Sequence, residues 1–403
     1  MGNKKKIFIY FVLLVCTLTG IPIGLTPTYG QIESKHNRAY ATYNISSFQG
    51  RLGNRSEKGI NNILTKKWEQ GYIHSDFPMV QEGNEVYTST PITSIDKATG
   101  KIKWQSKYYA DKDMYVDHKV LIFIEGEQVV ALDRKSGQVK WRFTIPDDSN
   151  ILGPTIRDGL VYIITDESKI YGIDIDSGHL RWRYTGPYGG PISAFSSPVL
   201  IGNDLLYIND SKIHKVNIRS KEISGSLDIT SGLENSLVVY KSQLLSLTDE
   251  GDIVLINPAT MKAIWHKKID IPHSDYILWP YLAIKHDELI LSTNDKVFIF
   301  SLKDGEITCE YTFQGKGSIK GLGIKEGRIL LLSNQDIWIL DPETQVAKSF
   351  RLQVFSAKDN YNYSYFNNFI VDSGGIYVIT YEYSNMKRPT KSRLIRFNLV
   401  FDK

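Results

Sequence analysis

Apolar and polar positions along the chain follow a repeat of about 40 residues, a period typical of repeat proteins. Each repeat contains an apolar segment rich in Val and Ile, a short polar turn and a second apolar segment that ends in Asp or Asn. A Thr/Ser-Gly turn and a segment ending in Trp follow. Short apolar segments separated by turn residues at a fixed period predict β-strands. The pattern therefore predicts an all-β fold made of repeated small sheets.

Three copies of the repeat turn share an acidic residue, a glycine four positions later and a tryptophan four positions after that. They contain Asp96, Gly100 and Trp104; Asp133, Gly137 and Trp141; and Asp174, Gly178 and Trp182. The carboxylate is expected to accept backbone hydrogen bonds in the turn, and glycine takes a positive φ without steric cost. The tryptophan is expected to pack between neighbouring sheets.

Weaker copies continue in the same register over residues 257–265, which end in Trp265, and over 301–309 and 341–349. The copy at 217–225 is the most degenerate. Cys309 falls at the tryptophan position of its copy, so we interpret it as a packing substitution and not as a nucleophile.

The second apolar segment occurs eight times between Val86-Tyr87 and Ile376-Tyr377, and the last copy lacks its outermost strand. An isolated strand that ends in Trp68 lies at the other end, over residues 63–68. Joining the two ends leaves only short, protected sheet edges. We therefore predict an eight-bladed β-propeller of four-stranded antiparallel blades, closed by an N-terminal strand that completes the last blade.

The N-terminal residues resemble an export signal. Lys4 to Lys6 precede an apolar stretch, and Thr28-Tyr29-Gly30 places small residues where a signal peptidase cuts. We predict a signal peptide over residues 1–30, a flexible leader over 31–60 and the propeller domain over 61–403. An uncleaved anchor is the alternative, because residues 7–25 carry no charge. A lipoprotein signal would need a small residue before the cysteine, but Val15 precedes Cys16.

Charge and cysteine content narrow the function. Without the three N-terminal lysines, the 48 basic residues fall to one more than the 44 acidic ones. Such a balance predicts no nucleic-acid partner. The mature chain would keep one cysteine, Cys309, so its stability cannot depend on an intramolecular disulfide. We predict a monomer without a membrane span in its mature form.

The repeat, with its Val-Tyr strand, Ala-Leu-Asp segment, Thr-Gly turn and Trp, resembles the PQQ-like propeller repeat over about residues 63–403. This repeat occurs in quinoprotein dehydrogenases and in BamB-like assembly proteins. Resemblance to the dehydrogenases implies pyrroloquinoline quinone and calcium in the central funnel. Those enzymes, however, are generally longer and typically show an adjacent cysteine pair, which this sequence lacks. Resemblance to BamB-like proteins implies a scaffold that presents loops to protein partners.

Motifs that carry chemistry are absent from the sequence, including G-x-S-x-G, H-E-x-x-H, the P-loop, the Rossmann fingerprint and C-x-x-C. The acidic group Asp111, Asp113 and Asp117 lacks the glycine and terminal glutamate of an EF-hand, which favours a solvated turn. His273 and Asp275 are the first candidates if the chain acts as a hydrolase or lyase on envelope glycans. We predict no cofactor, no metal and no catalytic residue.

Aromatic residues outside the repeat are frequent in the connections between blades. Such rings suit interfaces where one edge stays wet. The Asn/Tyr/Ser segment at 361–365 has the adaptable composition of a binding loop. The candidate partner-binding residues are Tyr109, Tyr188, Tyr276, Trp279, Tyr363 and Tyr365, and Tyr72 belongs to the same aromatic set.

The sequence thus predicts a secreted or otherwise extracytoplasmic binding scaffold without enzymatic activity. One propeller face is expected to bind a protein partner or a polysaccharide of the cell envelope. The alternative is an oxidoreductase that depends on pyrroloquinoline quinone or a metal.

Overall fold

A computed structural model gives the structure of the chain. It describes residues 41–44, 64–75, 79–111, 114–146, 151–186, 197–209, 212–229, 235–248, 251–269, 281–293, 295–313, 319–333, 336–343, 346–351, 363–383 and 391–401. Within these ranges every regular element is a β-strand. The strands are numbered in chain order.

Two strands precede the first complete sheet, β1 (Ala41–Asn44) and β2 (Leu64–Gly71). Blade 1 contains β3 (Val80–Glu82), β4 (Glu85–Ser89), β5 (Ile92–Asp96) and β6 (Ile102–Gln105). Blade 2 contains β7 (Tyr115–Val116), β8 (Val120–Glu125), β9 (Gln128–Asp133) and β10 (Val139–Thr144). Blade 3 contains β11 (Ile151–Arg157), β12 (Leu160–Thr165), β13 (Lys169–Asp174) and β14 (Leu180–Thr185). Blade 4 contains β15 (Val199–Ile201), β16 (Asp204–Asn209), β17 (Lys212–Asn217) and β18 (Glu222–Asp228).

The second half repeats this arrangement. Blade 5 contains β19 (Asn235–Tyr240), β20 (Gln243–Thr248), β21 (Asp252–Asn257) and β22 (Lys262–Lys268). Blade 6 contains β23 (Tyr281–Lys285), β24 (Glu288–Ser292), β25 (Lys296–Ser301) and β26 (Ile307–Thr312). Blade 7 contains β27 (Gly321–Lys325), β28 (Arg328–Leu332), β29 (Asp336–Asp341) and β30 (Val346–Arg351). Blade 8 contains β31 (Tyr363–Asp372), β32 (Gly375–Tyr383) and β33 (Lys391–Leu399), together with β2.

The blades form a closed ring, and the prediction of an eight-bladed β-propeller is confirmed. In blades 1 to 7 the four strands pair antiparallel in chain order, and blade 8 pairs in the order β31, β32, β33 and β2. The first strands of neighbouring blades lie beside each other, as β23 does with β27 and β27 with β31, so these strands surround the central channel. The fourth strands form the outer rim.

The N-terminal strand closes the ring as predicted. β2 pairs antiparallel with β33, in a register that runs from Leu64 opposite Leu399 to Gly71 opposite Arg393. This pairing gives blade 8 its fourth strand and covers the backbone edge of β33, which would otherwise stay unpaired.

Polar contacts hold blade 8 against blade 1 at this closure. The Trp68 indole donates a hydrogen bond to the Lys97 carbonyl at 2.9 Å, and Arg396 donates to the same oxygen at 2.5 Å. The Lys97 ammonium lies 2.5 Å from a carboxylate oxygen of Asp372, and both side chains are largely buried. The two chain ends are thus joined through one turn of blade 1.

Four residues of the predicted leader also form a strand. β1 pairs parallel with β26, the outermost strand of blade 6, with Ala41 opposite Cys309. The rest of residues 31–60 and the predicted signal peptide lie outside the described residues, so the boundaries of both segments stay predictions.

The hydrophobic core consists of clusters between neighbouring blades. The cluster between blades 2 and 3 includes Ile122, Val129, Ile163 and Tyr171, each fully buried. A blade in the ring has a neighbour on each face, so both faces of its middle strands are covered. This explains why those strands have continuous apolar sequences, such as Val120–Glu125, instead of alternating ones.

Candidate functional site

The two ends of the propeller, along its central axis, differ in the kinds of loop found there. Because the strands of a blade alternate in direction, the connections from each fourth strand to the next blade lie at one end, with the turns between second and third strands. We call this end the connection face. The opposite end, with the other two turns of each blade, is the turn face.

The repeat turn stabilises the turn face. In blade 2, Asp133 Oδ1 accepts hydrogen bonds from the backbone N–H and the hydroxyl of Ser136, at 2.9 and 2.8 Å. The Ser136 hydroxyl lowers the pKa of the Asp133 carboxyl below its ordinary value, because its hydrogen bond favours the charged form. The equivalent bonds form in blades 1 and 3, between Asp96 and Thr99 and between Asp174 and Ser177.

Four repeat tryptophans connect their blade to the next one. The Trp104 indole of blade 1 donates to the Arg134 carbonyl of blade 2 at 2.9 Å and lies over Gly137. A Cβ atom at Gly137 would lie 2.6 Å from the indole ring, and the residue has a φ of 71°, so glycine is required twice over. The same arrangement joins Trp68 to Lys97 and Gly100, Trp141 to Ile175 and Gly178, and Trp265 to Leu302 and Gly305.

Trp182 departs from this arrangement. The next turn carries Lys221 in place of glycine, with a φ of 61°. The Trp182 indole contacts its own blade, where a Cβ atom at Gly172 would approach it to 2.5 Å and the Tyr162 ring lies 5.8 Å away, and it packs in the cluster between blades 3 and 4 with Leu205 and Val216. The contact of the indole with a turn glycine is therefore the part of the arrangement that blade 4 lacks.

Between blades 4 and 5 the positions of the large residue and the glycine are reversed. Gly225 occupies the tryptophan position of blade 4, and Met261 occupies the glycine position of blade 5 with a φ of 51°. A Cβ atom at Gly225 would lie 2.9 Å from Met261 Cγ, so the methionine fills the space of the indole. The Lys215 ammonium donates to the Pro258 carbonyl at 2.9 Å and replaces the indole N–H.

Cys309 lies at the tryptophan position of blade 6. Its side chain is partly buried and packs against the cluster between blades 6 and 7. Burial raises the pKa of the Cys309 thiol, which favours the neutral form. These features are those of a small apolar packing residue.

The connection face presents Tyr109 on a hydrogen-bonded segment. The Tyr108 carbonyl accepts a hydrogen bond from the Ile92 N–H at 2.8 Å, and the Ala110 N–H donates to the Ser89 carbonyl at 3.0 Å. The backbone is thus held on both sides of Tyr109, whose side chain is 50% exposed. An exposed aromatic residue on a fixed backbone can contact a partner with little loss of conformational entropy.

Cations lie beside Tyr108, the residue before Tyr109. Arg142 of β10 donates to the Tyr108 hydroxyl at 2.5 Å, and its guanidinium lies 4.8 Å from the centre of the Tyr108 ring. The Lys107 ammonium lies 5.5 Å from the same ring centre. A carboxylate oxygen of Glu125 lies 3.5 Å from the Tyr109 N–H, so a partner at Tyr109 would meet an aromatic residue with charges of both signs nearby.

Tyr72 forms a second exposed aromatic position, on the connection from blade 8 to blade 1. Its side chain is 83% exposed and its φ is 59°, an uncommon conformation for a bulky residue. Its N–H donates to the Ser392 carbonyl at 2.8 Å, Ile73 is buried, and the Ser75 N–H donates to the Tyr381 hydroxyl at 2.9 Å. The neighbouring contacts hold the ring outward. Sequence reasoning placed Tyr72 in the aromatic set but not among the candidate site residues.

The other predicted binding residues are not brought together by the described structure. Tyr363 and Tyr365 belong to β31, the inner strand of blade 8, so their predicted placement in a loop is wrong. The tyrosines of this segment follow a strand pattern that favours pairing with β32. Tyr188, Tyr276, Trp279, His273 and Asp275 lie outside the described residues.

The predicted acidic group of Asp111, Asp113 and Asp117 includes two residues that accept hydrogen bonds from backbone N–H groups. Asp111 accepts a hydrogen bond from the Gly126 N–H at 2.6 Å, and Asp117 accepts bonds from the N–H groups of its own turn at 2.7 and 2.8 Å. Asp113 lies outside the described residues. Within the described ranges, no three His, Cys, Asp or Glu residues are grouped so that they could hold a metal ion. The absence of a metal and a cofactor stays a prediction.

None of the described residues forms a helix long and apolar enough to span a membrane.

The fold and the repeat turns define the class of protein, an eight-bladed propeller built from PQQ-like repeats. The chain belongs to the family described as outer membrane protein assembly factor BamB, whose family model matches residues 92–346. No curated protein matches the chain.

Solved structures of several propellers are similar to the chain. BamB from Moraxella catarrhalis has a TM-score of 0.59 at 16% identity, with 85% of this chain and 99% of that chain covered. The C-terminal WD40 domain of Sif2 has a TM-score of 0.61 at 13% identity, with coverages of 84% and 99%. The quinohemoprotein alcohol dehydrogenase ADHIIG from Pseudomonas putida HK5 has a TM-score of 0.60 at 11% identity, with coverages of 84% and 76%. At such identities the likeness concerns the fold alone.

Proposed function

We propose that the chain is an extracytoplasmic scaffold that binds a protein partner through its connection face. The observation that carries this proposal is Tyr109, a half-exposed aromatic residue whose flanking backbone is fixed by hydrogen bonds. Tyrosine is one of the residues that most often dominate the energy of protein interfaces.

Tyr72 extends the proposed surface to the preceding connection. Both tyrosines lie on connections that enter blade 1 or leave it, so a partner that covers this blade can contact both. Family membership supports the proposal, since the family is described by an assembly factor, a class that works by binding other proteins. The predicted export signal supports an extracytoplasmic location.

Tyr188, Tyr276 and Trp279 lie outside the described residues and stay predicted candidates. Tyr363 and Tyr365 stay candidates because β31 begins at the connection face.

Site-specific cross-linking in the native host tests the proposal. A photoreactive phenylalanine analogue is placed at Tyr72, at Tyr109 or at Val400, an apolar control on the turn face that is 56% exposed. We expect the same protein adduct from the first two positions and not from Val400. Equal labelling from all three positions would contradict a specific surface.

Binding measurements with the purified chain and the purified partner then give the contribution of Tyr109 to the affinity. Replacing Tyr109 by Ala in the otherwise unchanged chain should weaken binding of the cross-linked partner by about thirtyfold, the loss typical of an aromatic anchor. The free energy of unfolding should stay within about 0.5 kcal/mol, because the side chain is exposed. Unchanged affinity in a folded variant would refute the role of Tyr109.

A further inference from the structure

Seven of the eight outermost strands have a β-bulge next to the tryptophan position, and the exception is β30 of blade 7. The pairing of β2 with β33 skips Lys67, and that of β6 with β5 skips Lys103. The pairing of β10 with β9 skips Lys140, and that of β14 with β13 skips Arg181. The extra residue of the bulge is thus a cation in four successive blades, 8, 1, 2 and 3. A bulge changes the direction of the strand and of its side chains, so it sets these cations at one repeated position of the rim.

These four strands form a basic arc. β2, β10 and β14 each contain two basic residues and β6 contains one, against a single glutamate, Glu69. The outer strand of blade 4 has the opposite charge, with Glu222 and Asp228 and no basic residue. Outside the arc, the outer strand of blade 5 has three lysines, of which Lys267 and Lys268 pair with Glu306 and Asp252, and that of blade 7 has two basic residues. What distinguishes the arc is its bulge position, which in blades 4, 5 and 6 is taken by the uncharged Ser224, Ile264 and Thr308.

Several cations of the arc are not neutralised. Lys103 pairs with Glu85, and the Arg181 guanidinium lies 2.7 Å from an Asp174 oxygen. Lys67, Lys140 and Arg183 are exposed and have no carboxylate at ion-pair distance within the described structure. Two of the four bulge cations, Lys67 and Lys140, and Arg183, two positions after the bulge of blade 3, thus remain available to an anion that extends along the rim.

Aliphatic residues stand beside the cations. Ile102, Val139 and Leu180 directly precede the bulges of blades 1, 2 and 3 and are 41%, 37% and 44% exposed. Apolar side chains next to cations can pack on the C–H surface of a sugar ring while its acidic groups contact the basic residues.

We propose that this arc binds an anionic polysaccharide along the rim. The rim is convex, so a flat membrane surface would touch only one or two blades, whereas a flexible linear polymer can follow four. The export that we propose for the chain favours a polysaccharide over a nucleic acid. This surface is separate from the connection face, so the two proposals can fail independently.

Two charge-matched variants of the exported chain test the arc. The first replaces Lys67, Lys140 and Arg183 by Gln. The control replaces Arg219, Lys221 and Lys303 by Gln, three exposed cations in turns of blades 4 and 6. Both sets lower the net charge by three, so a difference between them reports position and not total charge.

Fluorescence anisotropy with labelled alginate, a linear polymer of carboxylate sugars, gives the affinity of each chain at several salt concentrations. We expect the arc variant to bind at least about tenfold more weakly than the unchanged chain, with a shallower salt dependence. The control should bind like the unchanged chain. Uncharged dextran should not bind. Thermal melting of both variants should match the unchanged chain, because all six side chains are exposed.

Other outcomes overturn the proposal. Equal losses in the two variants would show attraction by net charge alone. Tighter binding to double-stranded DNA, or to vesicles of anionic lipid, would assign the arc to a different macromolecule. No measurable alginate binding by the unchanged chain at low salt would also refute it.

Discussion

Replacing Gly137 by Ala tests whether the tryptophan contact, and not only the turn, requires glycine. Gly137 has a φ of 71°, and a Cβ atom there would lie 2.6 Å from the Trp104 indole. Gly126 in the same blade is a matched control, because it has a φ of 57° and nothing within 4 Å of a Cβ atom.

The two substitutions should differ in their energetic cost. Alanine at a positive φ costs about 1–2 kcal/mol, which is the full expected loss for Gly126→Ala. Gly137→Ala adds the overlap with the indole, about 1–3 kcal/mol, since either the turn or the ring must move. We expect a total loss of about 2–5 kcal/mol for Gly137→Ala.

Urea unfolding followed by tryptophan fluorescence and by circular dichroism measures these losses. A double-mutant cycle isolates the contact. In a Trp104→Ala background the overlap disappears, so Gly137→Ala should then cost no more than Gly126→Ala. Equal costs for the two glycines in the unchanged chain, or the same cost of Gly137→Ala in both backgrounds, would refute the reasoning.

Three further predictions follow from the same geometry. Gly225→Trp should destabilise the chain by about 1–3 kcal/mol because the indole overlaps Met261, and adding Met261→Gly should recover most of the loss, as urea unfolding would show. The hydrogen bond from Ser136 lowers the pKa of the Asp133 carboxyl, so the ionised carboxyl stabilises the fold above pH 3.8, its ordinary pKa. This stabilisation disappears as the pH falls through the lower pKa of the folded state. Asp133→Asn should therefore reduce the loss of stability measured by unfolding between about pH 5 and pH 2. A chain that begins at residue 72 lacks β2 and Trp68 and should melt about 10 °C or more below one that begins at residue 61, and equal melting temperatures would contradict closure by β2.

Much of the fold could be predicted because each repeat must meet the same structural requirements. A strand buried on both faces needs a continuous apolar segment, and a tight turn needs Asp and Gly at fixed positions. Both requirements are local, so they can be read from one repeat at a time. Even the closure by residues 63–68 followed from the sequence, since the last copy lacked a strand and the first residues supplied one.

The candidate site was predicted less well. Tyr109 was proposed because aromatic residues in connections suit interfaces, and its role stays a prediction. Tyr363 and Tyr365 were predicted in a loop but belong to β31. Asn, Ser and Tyr occur in loops and in strands alike, and pairing with β32 decides between them. Tyr72 resembled any residue at a strand end until its φ and exposure were known.

The sequence by itself determined the class of fold, the number of blades and the turns that join their strands, because these depend on periodicity and on local backbone requirements. Only the tertiary structure decided how the blades compensate for each other. Gly225 and Met261 lie 36 positions apart, and their exchange of large and small partners becomes visible only where their blades pack together. The cations of the rim likewise occur in four separate repeats, and the shared bulges and the closed ring place them on one arc.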